Sequence, residues 1–218
     1  MGTPSLPVLQ LRDAVVLAGG YPVLSGVTLD VRPASLVVVS GANGSGKTSL
    51  LRLLAGLLRL SAGSGRVVDV DLRAGDLRAL RRRIGWLGHE GSFYDELTVR
   101  ENLTFAARAL ERPIGAIVPV ASRLGLEGRL DTVTKSLSAG QRRRLGLAWL
   151  LVRRPEVWLL DEPYASLDDE GRAFIDELLV ELVASGATAI VTAHDRLAGA
   201  GARRFITLAG GRVVADES

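Results

Sequence analysis

Gly41-Ala42-Asn43-Gly44-Ser45-Gly46-Lys47-Thr48 decides the fold class of this 218-residue chain. The stretch fits the pattern G-x-x-x-x-G-K-[ST]. It follows a continuous apolar run, Leu36 to Val39, that suits a strand buried on both faces. Leucines at helical spacing run on from Thr48 to Leu58. A buried strand, a glycine-rich turn and a helix, in that order, is the context the pattern requires. Glycines let the backbone close around phosphate oxygens, and the helix N-terminus adds partial positive charge. Lys47 is one of only two lysines, the other being Lys135. At this place it would reach the β- and γ-phosphates of a nucleotide, and Thr48 would hold Mg2+. The loop from Gly41 to Thr48, with the adjoining Ser49, is the candidate phosphate-binding set.

Outward from the loop, the apolar runs are short and bounded by Gly, Pro or Asp. Val27 to Val31 alternates as a strand with one exposed face would. Val67 to Val70, Ile84 to Leu87, Val157 to Leu160, Ala189 to Thr192 and Phe205 to Leu208 read as further strands. Asp169 to Ser185 has helical spacing with acids near its start, as a helix N-terminus prefers. Strands alternating with helices predict an α/β fold with a mostly parallel sheet. The middle of the chain differs. From about His89 to Arg144 the pattern is helical, without a convincing strand. Thr98-Val99-Arg100-Glu101 forms a capping box that opens a helix to about Leu110, and Pro113 and Pro119 break the pattern beyond it. Residues 90–144 are therefore expected to form a helical subdomain inserted into a single domain of residues 1–218.

Composition narrows the chemistry. The chain has no cysteine, which excludes disulfides, cysteine zinc sites and a thiol nucleophile. Its two histidines, His89 and His194, are too few for a multi-histidine metal site. Of 27 basic residues 25 are arginine, but the net charge is only +3 and just two arginine triplets occur, at 81–83 and 142–144. A dedicated nucleic-acid binder usually concentrates its excess in a stripe, so no nucleic-acid partner is expected. No run of about 20 apolar residues is present, so the chain is not expected to span a membrane by itself. No secretory signal is visible, and a cytoplasmic protein is the default.

Two further stretches carry chemistry. Val157-Trp158-Leu159-Leu160-Asp161-Glu162 is a buried strand ending in two acids. By itself this is an ordinary strand with an acidic turn. Beside the glycine-rich loop, Asp161 would hold Mg2+ and Glu162 could polarise an attacking water. Leu137-Ser138-Ala139-Gly140-Gln141 precedes a helical run, Arg142 to Val152, and read alone it is a helix entry capped at or near Ser138. Gln141 stands 20 residues before Asp161.

With that spacing the chain resembles the ATP-binding-cassette family of ATPases, whose signature is Leu-Ser-Gly-Gly-Gln. Asp161-Glu162-Pro163 is similar to the end of the family's Walker B strand, Ala165-Ser166-Leu167-Asp168 to its D-loop, and His194 to its switch histidine. The resemblance covers nearly the whole chain, with the motifs in the right order. It implies a P-loop NTPase (RecA-like) core with a mostly parallel sheet, an antiparallel N-terminal β region and the inserted helical subdomain. ATP with Mg2+ is the implied ligand, and Lys47, Glu162 and His194 are the implied catalytic residues. The implied assembly is a head-to-tail homodimer, or a pair with a related subunit. In it Ser138, Gly140 and Gln141 of one copy meet the ATP held by the other.

Three departures accompany the resemblance. Ala139 stands where the signature usually has glycine. The family's adenine-stacking aromatic lies about 29 or 30 residues before the Walker lysine, where Ala18 is nearer, whereas Tyr21 lies 26 before Lys47. Tyr21 either stacks on adenine or covers the core edge. His89, within Trp86-Leu87-Gly88-His89-Glu90, occupies the Q-loop position, usually glutamine. It acts on the metal through a water, contacts a partner subunit, or is a plain loop residue. Gly88-His89, Tyr94, Glu96-Leu97-Thr98 and Arg100-Glu101-Asn102-Leu103 together resemble the ATPase subunits of the haem exporters of cytochrome c maturation. That resemblance implies separate transmembrane permease subunits and a peripheral position on the cytoplasmic membrane face. The alternatives are a soluble ATPase of the same superfamily acting on DNA or the ribosome, and a cassette for another exported substrate.

Overall fold

The computed structural model describes residues 6–88, 93–165, 167, 169–193 and 203–217. The chain divides into two compact units, residues 1–86 with 156–218, and residues 87–155. His89, His194, Ser166 and Asp168 lie outside the described residues.

The first unit holds two sheets. Strands β1 (Leu9–Ala18) and β2 (Tyr21–Val31) form an antiparallel hairpin, and β4 (Ala62–Val67) pairs antiparallel with β1 and carries the short β5 (Val70–Asp71). The second sheet runs β10-β9-β3-β8-β7-β6, with β3 (Leu36–Ser40), β6 (Ile84–Leu87), β7 (Val157–Leu160), β8 (Thr188–Thr192), β9 (Arg203–Ala209) and β10 (Arg212–Glu217). Strand β3 is parallel to both β8 and β9, β7 is parallel to β8, and β10 closes the edge antiparallel to β9. Strands β3, β7 and β8 are mostly apolar and buried, as strands covered on both faces must be; the exceptions are half-buried Ser40 at the end of β3 and the buried threonines Thr188 and Thr192 at the two ends of β8. Leu9, Leu11 and Val16 of β1, Leu24 and Val27 of β2, Val37 and Val39 of β3, and Leu50 and Leu54 of α1 (Lys47–Leu54) share one core cluster. Helices α2 (Leu77–Arg83) and α6 (Asp169–Ala184) complete this unit. Helix α6 opens with Asp169 and Glu170 in its first turn, where the helix dipole favours acids.

The second unit is mainly helical among its described residues: α3 (Val99–Ala109), α4 (Ile117–Arg123) and α5 (Ala139–Arg153), joined by turns and short 3-10 segments, with one antiparallel bridge between Thr98 and Val133. The Thr98–Glu101 capping box is formed in both directions. Buried Asn102 ties the preceding segment down: its Nδ2 donates to the Tyr94 carbonyl (2.9 Å) and Thr134 Oγ1 (3.0 Å), and its Oδ1 accepts from Tyr94 N (2.8 Å).

Four local expectations need correction. Val67 to Val70 is not one strand. Val68 and Asp69 have φ of 43° and 67°, the left-handed values of a tight hairpin turn between β4 and β5. A hydrogen bond from Val68 N to Val8 O (2.8 Å) pins that turn to the first sheet. The helix expected over Thr48–Leu58 ends at Leu54, and the turn after it is held by Leu57 N donating to Arg52 O (2.8 Å). Pro119 does not break α4. It sits in the first turn, where its missing N–H would have had no helical partner. The boundary placed at residue 144 falls inside α5, because α5 continues the capped helix that Ser138 starts.

Candidate active site

The glycine-rich loop joins β3 to α1. Ser45 N donates to Ala42 O (3.1 Å), and Leu50 N donates to Gly46 O (2.8 Å) as the helix begins. Helix α1 has no side-chain cap and no acid in its first turn, so its N-terminal N–H groups are left for the loop's contents. Two glycines are required by space as well as conformation. Gly41 has φ 144°, and a Cβ there would lie 2.3 Å from the Leu208 carbonyl oxygen; Gly46 has φ 106°, with 2.8 Å to the Val23 carbonyl oxygen.

The Lys47 side chain is buried within the loop it serves, donating to the carbonyls of Gly41 (2.7 Å) and Ala42 (3.1 Å). Ser45 Oγ is buried without a hydrogen-bond partner among the described residues. An ammonium, an orphaned hydroxyl and a helix N-terminus converging on one turn fit a polyanion such as a triphosphate. Ser49 follows Thr48 within the first turn of α1.

Beside the loop, Thr48 Oγ1 donates to Asp161 Oδ2 at 2.8 Å, across 113 residues of sequence. Asp161 is 6% exposed and directly follows β7. A hydroxyl and a carboxylate in contact at the phosphate loop form a hard-oxygen donor set, which fits Mg2+. Glu162 comes next, with φ of 49°, a left-handed value uncommon for a residue with a side chain. Its N–H donates to Thr192 Oγ1 (2.8 Å), and the same hydroxyl donates to Asp161 Oδ1 (2.7 Å). In the sequence Thr192 reads only as the end of a strand. The missing signal is register: Leu160 of β7 pairs with Val191 of β8, so the next step brings Asp161 beside Thr192.

In the helical unit, Ser138 caps α5. Its Oγ accepts from Gln141 N (3.3 Å), while Gln141 Oε1 accepts from Ser138 N (3.0 Å). Ser138, Ala139 and Gly140 are exposed, and nothing lies within 4 Å of a Cβ built on Gly140. The signature therefore offers an open helix N-terminus to solvent. Tyr21 is 79% exposed at the start of β2, and its partner across the hairpin is Ala18. The two positions weighed for the aromatic platform thus face each other on adjacent strands. His89 at the Q-loop position and His194 at the switch position both fall outside the described residues, the latter two residues beyond the end of β8.

The family model described as "ABC transporter" matches residues 24–165, from β2 to the turn after Glu162. The chain belongs to the ABC transporter family. It is an ATP-binding-cassette ATPase subunit, with the P-loop α/β fold expected of one. The cytochrome c biogenesis ATP-binding export protein CcmA of Cupriavidus pinatubonensis is 39% identical over 197 residues, 89% of this cassette and 87% of its own length. The solved structure of cbiO1 from Clostridium perfringens, part of the ABC transporter complex cbiONQ, is 27% identical with a TM-score of 0.81, over 98% of this chain and 89% of that one. The cassette MJ0796, in a dimeric post-hydrolysis state bound to ADP and Pi, shares the fold with a TM-score of 0.88 at 24% identity, over 96% of this chain and 98% of that one. No described helix of this cassette is long and apolar enough to cross a membrane.

Proposed function

We propose that this cassette is the energy-coupling ATPase of the haem-export complex of cytochrome c biogenesis, held on the cytoplasmic membrane face by separate permease subunits. The observation that supports this reading is the 39% identity, over nine-tenths of the chain, to relatives named as cytochrome c biogenesis ATP-binding export proteins. Their export names favour a transporter over a soluble ATPase of DNA or the ribosome.

In this reading the loop Gly41–Ser49 holds the phosphates and Lys47 turns its ammonium from the loop carbonyls to the β- and γ-phosphate oxygens. Thr48 and Asp161 hold Mg2+, which when bound neutralises charge on the phosphates. Glu162 accepts a hydrogen bond from the attacking water and aims it. His194 contacts the γ-phosphate side, and Tyr21 supplies a face for adenine. His89 works at the Q-loop position through a water or toward a permease subunit. Ser138, Gly140 and Gln141, at the open N-terminus of α5, meet the ATP of a second copy or a related subunit. The two helix N-termini then neutralise one triphosphate from opposite sides, so ATP joins the pair and hydrolysis releases it.

The substrate is tested in cells. Deleting the gene should abolish haem-stained c-type cytochromes while leaving their apoprotein, and the parental gene should restore them where Lys47→Ala does not. Normal cytochrome c maturation in the deletion strain would refute the haem-export assignment. Failure of the chain to co-purify with any membrane subunit would refute the permease pairing.

A further inference from the structure

The hydroxyl of Thr192 joins two acids with different duties. Its O–H donates to Asp161 Oδ1 at 2.7 Å, and its oxygen accepts from Glu162 N at 2.8 Å. The side chain is fully buried, and the parallel register of β7 and β8 sets it beside Asp161. The other oxygen of Asp161 accepts from Thr48 Oγ1 at 2.8 Å. One continuous chain of hydrogen bonds therefore runs from Thr48 on α1, through the Asp161 carboxylate and Thr192, to the backbone of Glu162. That backbone has φ of 49°, which a residue with a side chain keeps only when its surroundings hold it there.

We infer that Thr192 is a positioning residue for hydrolysis: its one hydroxyl sets the orientation of the Asp161 carboxylate toward Thr48 and locks the left-handed peptide that aims Glu162. The inference rests on Asp161 holding the metal and Glu162 aiming the water. Thr192 touches neither the nucleotide loop nor the side chain of Glu162 through these bonds, so its effect passes through the two acids. Valine has nearly the same shape and is also β-branched, so it suits the strand but makes neither bond. Serine keeps the hydroxyl and loses only the methyl.

The experiment uses the full chain with Thr192→Val, Thr192→Ser and Glu162→Gln. Three quantities are read: ATP affinity in EDTA, the Mg2+ concentration for half-maximal ATPase activity, and kcat. Thr192→Val should bind ATP in EDTA within about twofold of the parent, because the loop is untouched. Its Mg2+ requirement should rise and its kcat should fall about tenfold or more, the scale set by losing a hydrogen bond to a charged group. Thr192→Ser should restore both to within about threefold. Parental kcat and Mg2+ requirement in Thr192→Val would overturn the inference. So would equal impairment in Thr192→Ser, which would assign the effect to methyl packing, or loss of ATP binding in EDTA by Thr192→Val, which would mark general damage to the strand. Glu162→Gln separates the two levels: if it turns over at the parental rate, the role of Glu162 fails, whereas an inactive Glu162→Gln beside a fully active Thr192→Val sinks only the Thr192 assignment.

Discussion

Replacing Gly41 by alanine tests whether the loop's shape or merely its flexibility matters. The new Cβ would stand 2.3 Å from the Leu208 carbonyl oxygen and 2.7 Å from Ser45 Oγ. The first contact is with backbone of β9, so no side-chain rotation relieves it. The loop must move away by about 0.7 Å to reach even the shortest separation that real Cβ atoms tolerate. Overpacking of this kind costs roughly 1–3 kcal/mol. The φ of 144° adds strain of the same order, about 1–3 kcal/mol for a residue with a side chain. The sum is roughly 2–6 kcal/mol of stability. Function should suffer too, because the Gly41 carbonyl is one of the two acceptors that hold Lys47. Gly44→Ala is the control: φ is 77°, but nothing lies within 4 Å, so only conformational strain of roughly 1–2 kcal/mol remains. Urea titration gives the stability difference and fluorescent-nucleotide displacement the ATP affinity. Gly41→Ala should be the less stable of the two by at least about 1 kcal/mol and should bind ATP about tenfold more weakly or worse. Equal stability of the two variants, with parental ATP binding in Gly41→Ala, would refute the steric argument.

The site as built sets further outcomes. Glu162→Gln should keep ATP binding, lose turnover on the order of 10²-fold or more and accumulate as an ATP-bound dimer in size-exclusion chromatography; a variant that stays monomeric with ATP bound would count against the paired site. Lys47→Ala should weaken nucleotide binding in the isolated chain, whereas Ser138→Arg should leave that binding nearly intact and block hydrolysis, and equal loss of monomer binding in both would remove the two-sided arrangement. Tyr21→Ala should weaken ATP by about tenfold and leave inorganic triphosphate unaffected, since stacking on a base is worth roughly 1–3 kcal/mol; unchanged ATP affinity would make Tyr21 a structural residue. The Asp216 carboxyl on β10 is held below the usual carboxylate range, chiefly by its hydrogen bond from Arg204 on β9. Its folded value is depressed, so its contribution is present above the unfolded value of about 3.9 and disappears as pH falls through the folded value. Asp216→Asn should therefore lower the unfolding free energy from urea titration at pH 7 by a modest amount, under about 1 kcal/mol for so exposed a pair, and converge with the parent in acid; a constant gap across pH would show that the charge is not responsible.

What the sequence determined by itself is what depends on residues close together along the chain. The phosphate loop is eight consecutive residues whose chemistry lies in glycine's conformational freedom, one ammonium and two hydroxyls, and no distant contact is needed to recognise them. The capping box at Thr98 is legible for the same reason, because it closes within four residues; Ser138 reads only as an N-cap, and the return bond from the Gln141 side chain appears in the structure. The apolar runs Leu36 to Val39 of β3 and Val157 to Leu160 of β7 read directly as strands covered on both faces. Periodicity failed where a run of valines met a turn. Val68 continues the apolar run begun by Val67 at the end of β4, yet the bond to Val8 and the pairing of β5 back onto β4 turn it into a left-handed corner. Thr48 and Asp161 were both expected at one Mg2+, but only the tertiary structure shows the direct bond between them across 113 residues, sets Ala18 opposite Tyr21 and makes Thr192 a partner of both acids. Strand order and register decide those contacts. They arise from pairing between segments far apart in sequence, and a one-residue slip between β7 and β8 would carry Thr192 away from Asp161 without altering a single local motif.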